Sequence, residues 1–204
     1  MSSSSDSCRH LRKICVYCGS APGVDPAYEA AAAMLGSRLA AAGLGLIYGG
    51  GGSGLMGTLA RAVLAGGGDV TGIIPDFMSQ AAPPLPGMAS IAVPDMHARK
   101  RLMFEHADAF VALPGGIGTL EELVEQLTWV QLQRHTKPVL LADIGGFWRP
   151  LLALFAHMRE HRFIQPSFEV RYLVAEKIED VVPMLEAAAA KTLAFEAKPL
   201  DPRL

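Results

Sequence analysis

The sequence predicts an α/β fold, a single-domain, doubly wound parallel sheet with helices on both faces, and three observations carry the prediction. From Lys13 onward, short apolar runs alternate with segments of helical pattern, the mark of strand and crossover helix in repetition. Glycine-rich segments follow three of the runs, where an open parallel sheet collects its ligands. No interior stretch has linker composition, and 204 residues suffice for one core that buries roughly 70 % of the unfolded chain's surface.

Ile14 to Tyr17 reads as the first strand. A helix from Pro26 to Ala42 follows, with Asp25 as N-cap, proline at the first helical position and Gly43 at the close. Leu44 to Tyr48 is the second strand, Leu55 to Ala65 the next helix, and Gly66-Gly67-Gly68 its stop. Val70 to Ile74 is the third strand. Pro75 to Met88 holds four prolines and little periodicity, as a long lid-type loop would. Ile91 to Val93, Ala109 to Leu113, Pro138 to Ala142 and Tyr172 to Ala175 supply the remaining strands. Met96 to Ala107, Gly118 to Arg134, Phe147 to His161 and Ile178 to Ala190 supply the remaining helices. Residues 1–12 are expected to be a disordered tail, 13–190 the folded domain and 191–204 a C-terminal tail.

Composition excludes several classes. A net charge of -2 offers no broad attraction for nucleic acid or anionic lipid, so any anion must be caught locally. The serine-rich start has no apolar run of signal-peptide length, and no stretch approaches the ~18 apolar residues of a membrane span. The three cysteines, Cys8, Cys15 and Cys18, do not form a disulfide framework, which points to a reducing, cytoplasmic setting. Cys15 and Cys18 fall on opposite faces of the strand region, unsuited to a metal or redox pair. The six histidines are read as lacking metal-ligand spacing, His97 as a helix-surface residue, and no lysine is singled out for a Schiff base. Neither metal nor cofactor is expected.

The three glycine-rich segments are Cys18-Gly19-Ser20-Ala21-Pro22-Gly23, the run Gly49 to Gly54 with Leu55-Met56-Gly57, and Pro114-Gly115-Gly116-Ile117-Gly118-Thr119. Glycine lets backbone approach a ligand closely, and the unpaired amides of a following helix attract an anion. Each segment is a candidate phosphate cradle and, taken singly, also a tight turn. Gly49-x-Gly51-x-x-Gly54 formally matches a dinucleotide fingerprint, with Asp69 20 residues past Gly49. Asp69, however, opens the third strand, whereas a ribose-binding acid belongs at a carboxyl end.

Thr119 and Glu122 have the spacing of a capping box, so Glu122 has a structural reading beside a chemical one. The helical wheel puts Leu120, Leu123, Val124, Leu127 and Val130 on the apolar face, with Glu122, Glu125, Gln126 and Trp129 opposite. A tryptophan among carboxylates suggests a surface covered by a ligand or by a second subunit, hence a homodimer through this helix. In the preceding helix Arg99 falls within a stripe of Met96, Leu102 and Met103, where a guanidinium needs an anionic partner. Glu122 or a phosphate would serve, and Lys100 is a second cationic candidate.

Pro114-Gly115-Gly116-Ile117-Gly118-Thr119-Leu120-Glu121-Glu122 resembles the PGGxGTxxE signature of the LONELY GUY family of cytokinin-activating phosphoribohydrolases. Gly49-Gly50-Gly51 with Gly54-Leu55-Met56-Gly57, Met96-His97-Ala98-Arg99-Lys100, and Thr128-Trp129 with Lys137-Pro138 are similar in the same order, from about Lys13 to Ala190. Ile117, where an aromatic is common, Arg134, where glycine is frequent, and the proline-rich loop are departures that bear on base preference. The resemblance implies a Rossmann-like fold, a dimer or larger homo-oligomer, and hydrolysis of N6-modified adenosine 5'-monophosphates to free base and ribose 5-phosphate. It implies Arg99 and Glu122 as catalytic residues. Pro114, Gly115, Gly116, Gly118 and Thr119 would hold the phosphate, with Gly19, Ser20, Gly51, Gly54, Met96 and Lys100 as further binding positions.

Similar proteins carry an older label of lysine decarboxylase, which no recognisable pyridoxal phosphate site supports. Two alternatives stand beside the hydrolase. One is a nucleotide or molybdenum-cofactor carrier without turnover on the same scaffold. The other is a nicotinamide-dependent oxidoreductase built on the Gly49 to Gly54 loop.

Overall fold

The structure, a computed structural model, describes residues 11–78 and 84–196. Its seven strands form one sheet in the order β4-β3-β2-β1-β5-β6-β7, every neighbouring pair parallel. The strands are β1 (Lys13–Tyr17), β2 (Gly45–Tyr48), β3 (Val70–Pro75), β4 (Ala89–Val93), β5 (Ala109–Ala112), β6 (Val139–Ala142) and β7 (Leu173–Ala175). The helices are α1 (Pro26–Ala41), α2 (Gly54–Ala65), α3 (Met96–His106), α4 (Ile117–Gln131), α5 (Arg149–Glu160) and α6 (Val181–Glu196). The expected Rossmann-like α/β architecture is present.

Strand alternation builds two cores. Ile14 and Val16 face one side, packed with Leu35, Leu39, Leu59, Val63 and Leu185 from α1, α2 and α6. Cys15 and Tyr17 face the other, packed with Met103, Leu123, Leu127 and Phe155 from α3, α4 and α5. Cys18 belongs to the first core and Cys15 to the second, as alternation requires, and both are buried free thiols. Burial pushes both thiols up from their ordinary range. Asp25 caps α1 through its carboxylate, which accepts from Ala27 N at 2.9 Å. Gly36 lets α1 and α2 close up, since a Cβ there would come within 2.6 Å of Leu59 O.

The lid-type segment is shorter than expected. β3 extends through Pro75 and a 3₁₀ turn takes Asp76–Met78, while Met88 sulfur accepts from Tyr48 Oη at 3.3 Å and from Leu85 N at 3.1 Å. The middle of that loop, residues 79–83, lies outside the described residues. So do residues 1–10 of the expected N-terminal tail and 197–204 of the C-terminal one. α6 runs on to Glu196, past the expected stop at Ala190.

Two opposite windings meet between β1 and β5. From β1 the chain steps through β2 and β3 to β4; α3 then returns beneath the sheet to β5, from which β6 and β7 continue the other way. A crevice therefore opens at the carboxyl ends of β1 and β5. Helices that follow parallel strands start at that edge, so the first turns of α3 and α4 both stand there.

Candidate active site

Three loops converge at this switch point and hold one another through backbone. Gly19 N donates to Pro114 O at 3.0 Å, and Met56 N donates to Gly19 O at 3.3 Å. Ser53 Oγ donates to Ser20 O at 3.2 Å. Gly54 has φ +55°, and a Cβ there would overlap Ser20 O. A Cβ at Gly115 would overlap Thr119 Oγ1 and come within 2.9 Å of Gly19 N. Gly51 lies against Met56, with 3.3 Å left between an added Cβ and the sulfur. At Gly54 and Gly115 only bare backbone fits so tight a junction.

The mouth of this junction is open. Gly116 is the N-cap of α4 and no side chain caps the helix. The first intrahelical bond runs from Leu120 N to Gly116 O at 3.0 Å, so the amides ahead of it have no helical acceptor. Nothing lies within 4 Å of an added Cβ at Gly116 or Gly118. Exposed amides at a positive helix end make an anion seat. The capping-box reading of Glu122 is corrected here. With Gly116 as cap, Thr119 is the third helical residue and Glu122 the sixth, a turn too deep to cap.

Glu122 instead meets Arg99. Asp95 caps α3 by accepting from Ala98 N at 2.8 Å, and the first turn then sends Arg99 beneath the sheet edge. Arg99 and Glu122 are each 8 % exposed, and Arg99 Nη2 lies 3.5 Å from Glu122 Oε1. Met96 sulfur stands 3.7 Å from Nη1, while Arg99 Nε has no hydrogen-bond partner. At the end of β2, a Cβ on Gly49 would overlap Nη2, so the guanidinium is seated against a bare glycine. Burial pushes the Glu122 carboxyl up to about 7, with Arg99 pulling down and Glu121 pushing up. A carboxyl that titrates there can give or take a proton near neutrality.

Lys100 is placed differently. Its Nζ lies 2.5 Å from Glu121 Oε1 and 3.0 Å from Glu125 Oε1, so it ties α3 to α4 by two ion pairs. The expected wheel of α4 is also corrected. Its buried face is Thr119, Glu122, Leu123, Gln126 and Leu127, and Val124 is 39 % exposed. The two faces differ because α4 must turn its first turns toward the crevice, which carries Glu122 and the residue one turn later inward. Gln126, 0 % exposed with neither amide atom paired, was missed. Its signal was the spacing of four from Glu122. Trp129, half-buried, packs edge-on against Phe104 at 5.0 Å.

The histidine expectation needs correction too. His157, Glu160 and His161 offer ligand atoms within 4.8 Å of one another, on α5 and far from this crevice.

Residues 56–185 match the family described as possible lysine decarboxylase. A cytokinin riboside 5'-monophosphate phosphoribohydrolase of Arabidopsis thaliana is 42 % identical over 191 residues, 89 % of each chain. A second from that plant is 43 % identical over 180 residues, 88 % of this chain and 84 % of its own. A probable enzyme of the same description from Oryza sativa subsp. japonica is 42 % identical over 195 residues, 91 % of this chain and 79 % of its own. Among solved structures, the molybdenum cofactor carrier protein of Chlamydomonas reinhardtii superposes with a TM-score of 0.67 at 19 % identity, covering 89 % of this chain and 99 % of that one. The molybdenum cofactor binding protein of Rippkaea orientalis gives 0.65 at 21 %, covering 88 % and 98 %. At such identities these two likenesses speak for the fold alone. Sequence identity over almost the whole length speaks for more: the chain belongs to the LOG family of cytokinin riboside 5'-monophosphate phosphoribohydrolases.

Proposed function

We propose that the protein hydrolyses the N-glycosidic bond of an adenosine 5'-monophosphate, plain or N6-substituted, releasing free base and ribose 5-phosphate. The observation that carries the reading is the buried Arg99–Glu122 pair, 3.5 Å apart, beside an uncapped helix N-terminus. Breaking the bond between base and ribose puts positive charge on the sugar ring, which a carboxylate near the anomeric carbon stabilises while it takes a proton from the attacking water, a proton that ends on the departing base. Glu122 is that carboxylate. Arg99 positions it and favours its ionised form. The 5'-phosphate sits on the amides around Gly115, Gly116, Gly118 and Thr119, and this remote binding holds the ribose over Glu122.

Gly19, Ser20, Gly51 and Gly54 shape the floor of the pocket, and Met96 packs on Arg99. Lys100 ties α3 to α4 through Glu121 and Glu125. A chromatographic assay for released base, run on adenosine 5'-monophosphate beside its N6-isopentenyl form, tests the reaction. No release from either nucleotide would remove it.

The protein works as a homodimer or a larger homo-oligomer through the α3–α4 side. A groove of about 460 Å³ there is lined by His97, Lys100, Arg101, Glu125 and Trp129, outside the Arg99–Glu122 pair. A single species of monomer mass in sedimentation at micromolar concentration overturns this. Among the described residues no helix is long and apolar enough to cross a membrane, and the buried free thiols of Cys15 and Cys18 suit the cytoplasm.

A further inference from the structure

The last turn of α5 carries three side chains that the crevice chemistry does not use. His157, Glu160 and His161 are all exposed, and their ligand atoms lie within 4.8 Å of one another. The imidazole rings are already in edge contact, with centroids 4.3 Å apart. Positions separated by three and four residues share one helix face, so a single ion can be reached by all three. His161 N donates to His157 O at 3.0 Å, which fixes the turn that spaces the two rings.

Charge favours a cation here. The carbonyl end of a helix is its negative end, and Glu160 adds a carboxylate. Arg159, on the same turn, directs its guanidinium to Glu169 Oε1 at 2.6 Å and toward Tyr172 Oη at 3.4 Å. Its charge is thus taken up on another face.

We infer that His157, Glu160 and His161 form a surface site for a divalent transition ion of the zinc type. Two imidazoles and one carboxylate are the donor set of borderline metals, unlike the all-oxygen sets of calcium or magnesium. Tetrahedral zinc with bonds of ~2.0–2.1 Å needs donors about 3.4 Å apart, which exposed side chains reach by small rotamer changes. The fourth position is left to water. A helix between parallel strands runs back to the amino edge of the sheet, so the site is at the opposite edge from Arg99 and Glu122. Its occupancy leaves base release unchanged.

Calorimetric titration of the untagged, full-length protein with zinc chloride alone tests the site. Wild type binds one equivalent more than His157→Ala/His161→Ala does, and Glu160→Gln weakens that equivalent about tenfold. Alanine is the best helix former, so the variants keep the fold, which circular dichroism checks. Cys8 and His10 are present in every variant, so binding through them cancels in the difference. Equal stoichiometry and affinity in wild type and double variant overturn the site. Base release by the double variant is measured in parallel, so that failure of the metal site and failure of the hydrolase reading are told apart.

Discussion

Arg99 Nη2 and Glu122 Oε1 face each other at 3.5 Å with both residues 8 % exposed, bringing together the first turn of α3 and the second turn of α4. α3 leads into β5 and α4 leaves it, so the pair joins the starts of two helices that flank one strand in the chain and both begin at the carboxyl edge of the sheet. Its chemistry follows from burial. In water the carboxyl would be ionised well below neutrality, whereas here it titrates at about 7, and the guanidinium keeps it from rising further.

Glu122→Gln is expected to bind the nucleotide with little loss and to release base ~10²- to 10⁴-fold more slowly. Single-turnover base release beside equilibrium nucleotide binding checks both halves. Equal turnover by wild type and variant leaves the carboxylate no part in the reaction.

The pH profile carries a sign. A base must be ionised, so kcat/KM falls as pH drops through about 7 in the free enzyme. Arg99 holds the carboxyl down, hence Arg99→Ala moves the acid limb to higher pH, and Arg99→Lys, which keeps a positive charge, moves it less. A limb that stays fixed in Arg99→Ala shows that the two groups are not coupled.

Gly49→Ala tests the seat of the guanidinium. A Cβ there would overlap Arg99 Nη2, and a displacement of about 1 Å at a reacting group costs on the order of 10²-fold in rate. Base release is expected to fall while the melting temperature shifts by only a few degrees, since the crowding atom is the far end of a side chain. Unchanged turnover would mean that Arg99 needs no fixed position.

A nucleoside lacking the 5'-phosphate should lose far more in kcat/KM than its base contacts explain, because the anion seat at Gly116 is left empty. Competition by inorganic phosphate against adenosine 5'-monophosphate gives the second measure. A nucleoside turned over as well as its nucleotide would place the recognition elsewhere.

His135 predicts a stability change. Burial first, then the charge of Lys137, lowers its pKa to about 4, against the backbone carbonyls of Gln126 and Lys137. The folded value lies below the unfolded ~6.5, so its contribution is present above that value and is lost as pH falls toward about 4. Partial exposure leaves on the order of 1–2 kcal/mol of this loss after screening. His135→Phe, placed where Phe104 and Phe110 already flank the ring at 5.2 and 5.8 Å, should flatten that stretch of the curve in denaturant titrations. Parallel pH curves for the two proteins would contradict it.

Much of this was written in local pattern. Strand and helix alternation, the glycine loops at strand ends and the stop at Gly43 are short-range signals, fixed by backbone freedom and by the periods of the two structures. The resemblance of Pro114 to Glu122, and of the segments in step with it, led to the family. Arg99 stood out because a guanidinium within an apolar stripe demands a partner. Sequence by itself therefore determined the class of fold, the three loops and the two charged residues.

Which charge meets which was decided in three dimensions. Glu122 had two local readings, and only the position of the cap at Gly116 discarded one. Lys100 and Arg99 are adjacent in the chain, yet the helix sends one to Glu121 and Glu125 and the other to Glu122. Gln126 and the face of α4 were misread because a wheel ranks residues by hydrophobicity, while burial follows from where the helix is laid against the sheet. Periodicity acts over a few residues; the pairing of α3 with α4 is set by the winding of the whole chain around β1 and β5, and no local signal encodes it.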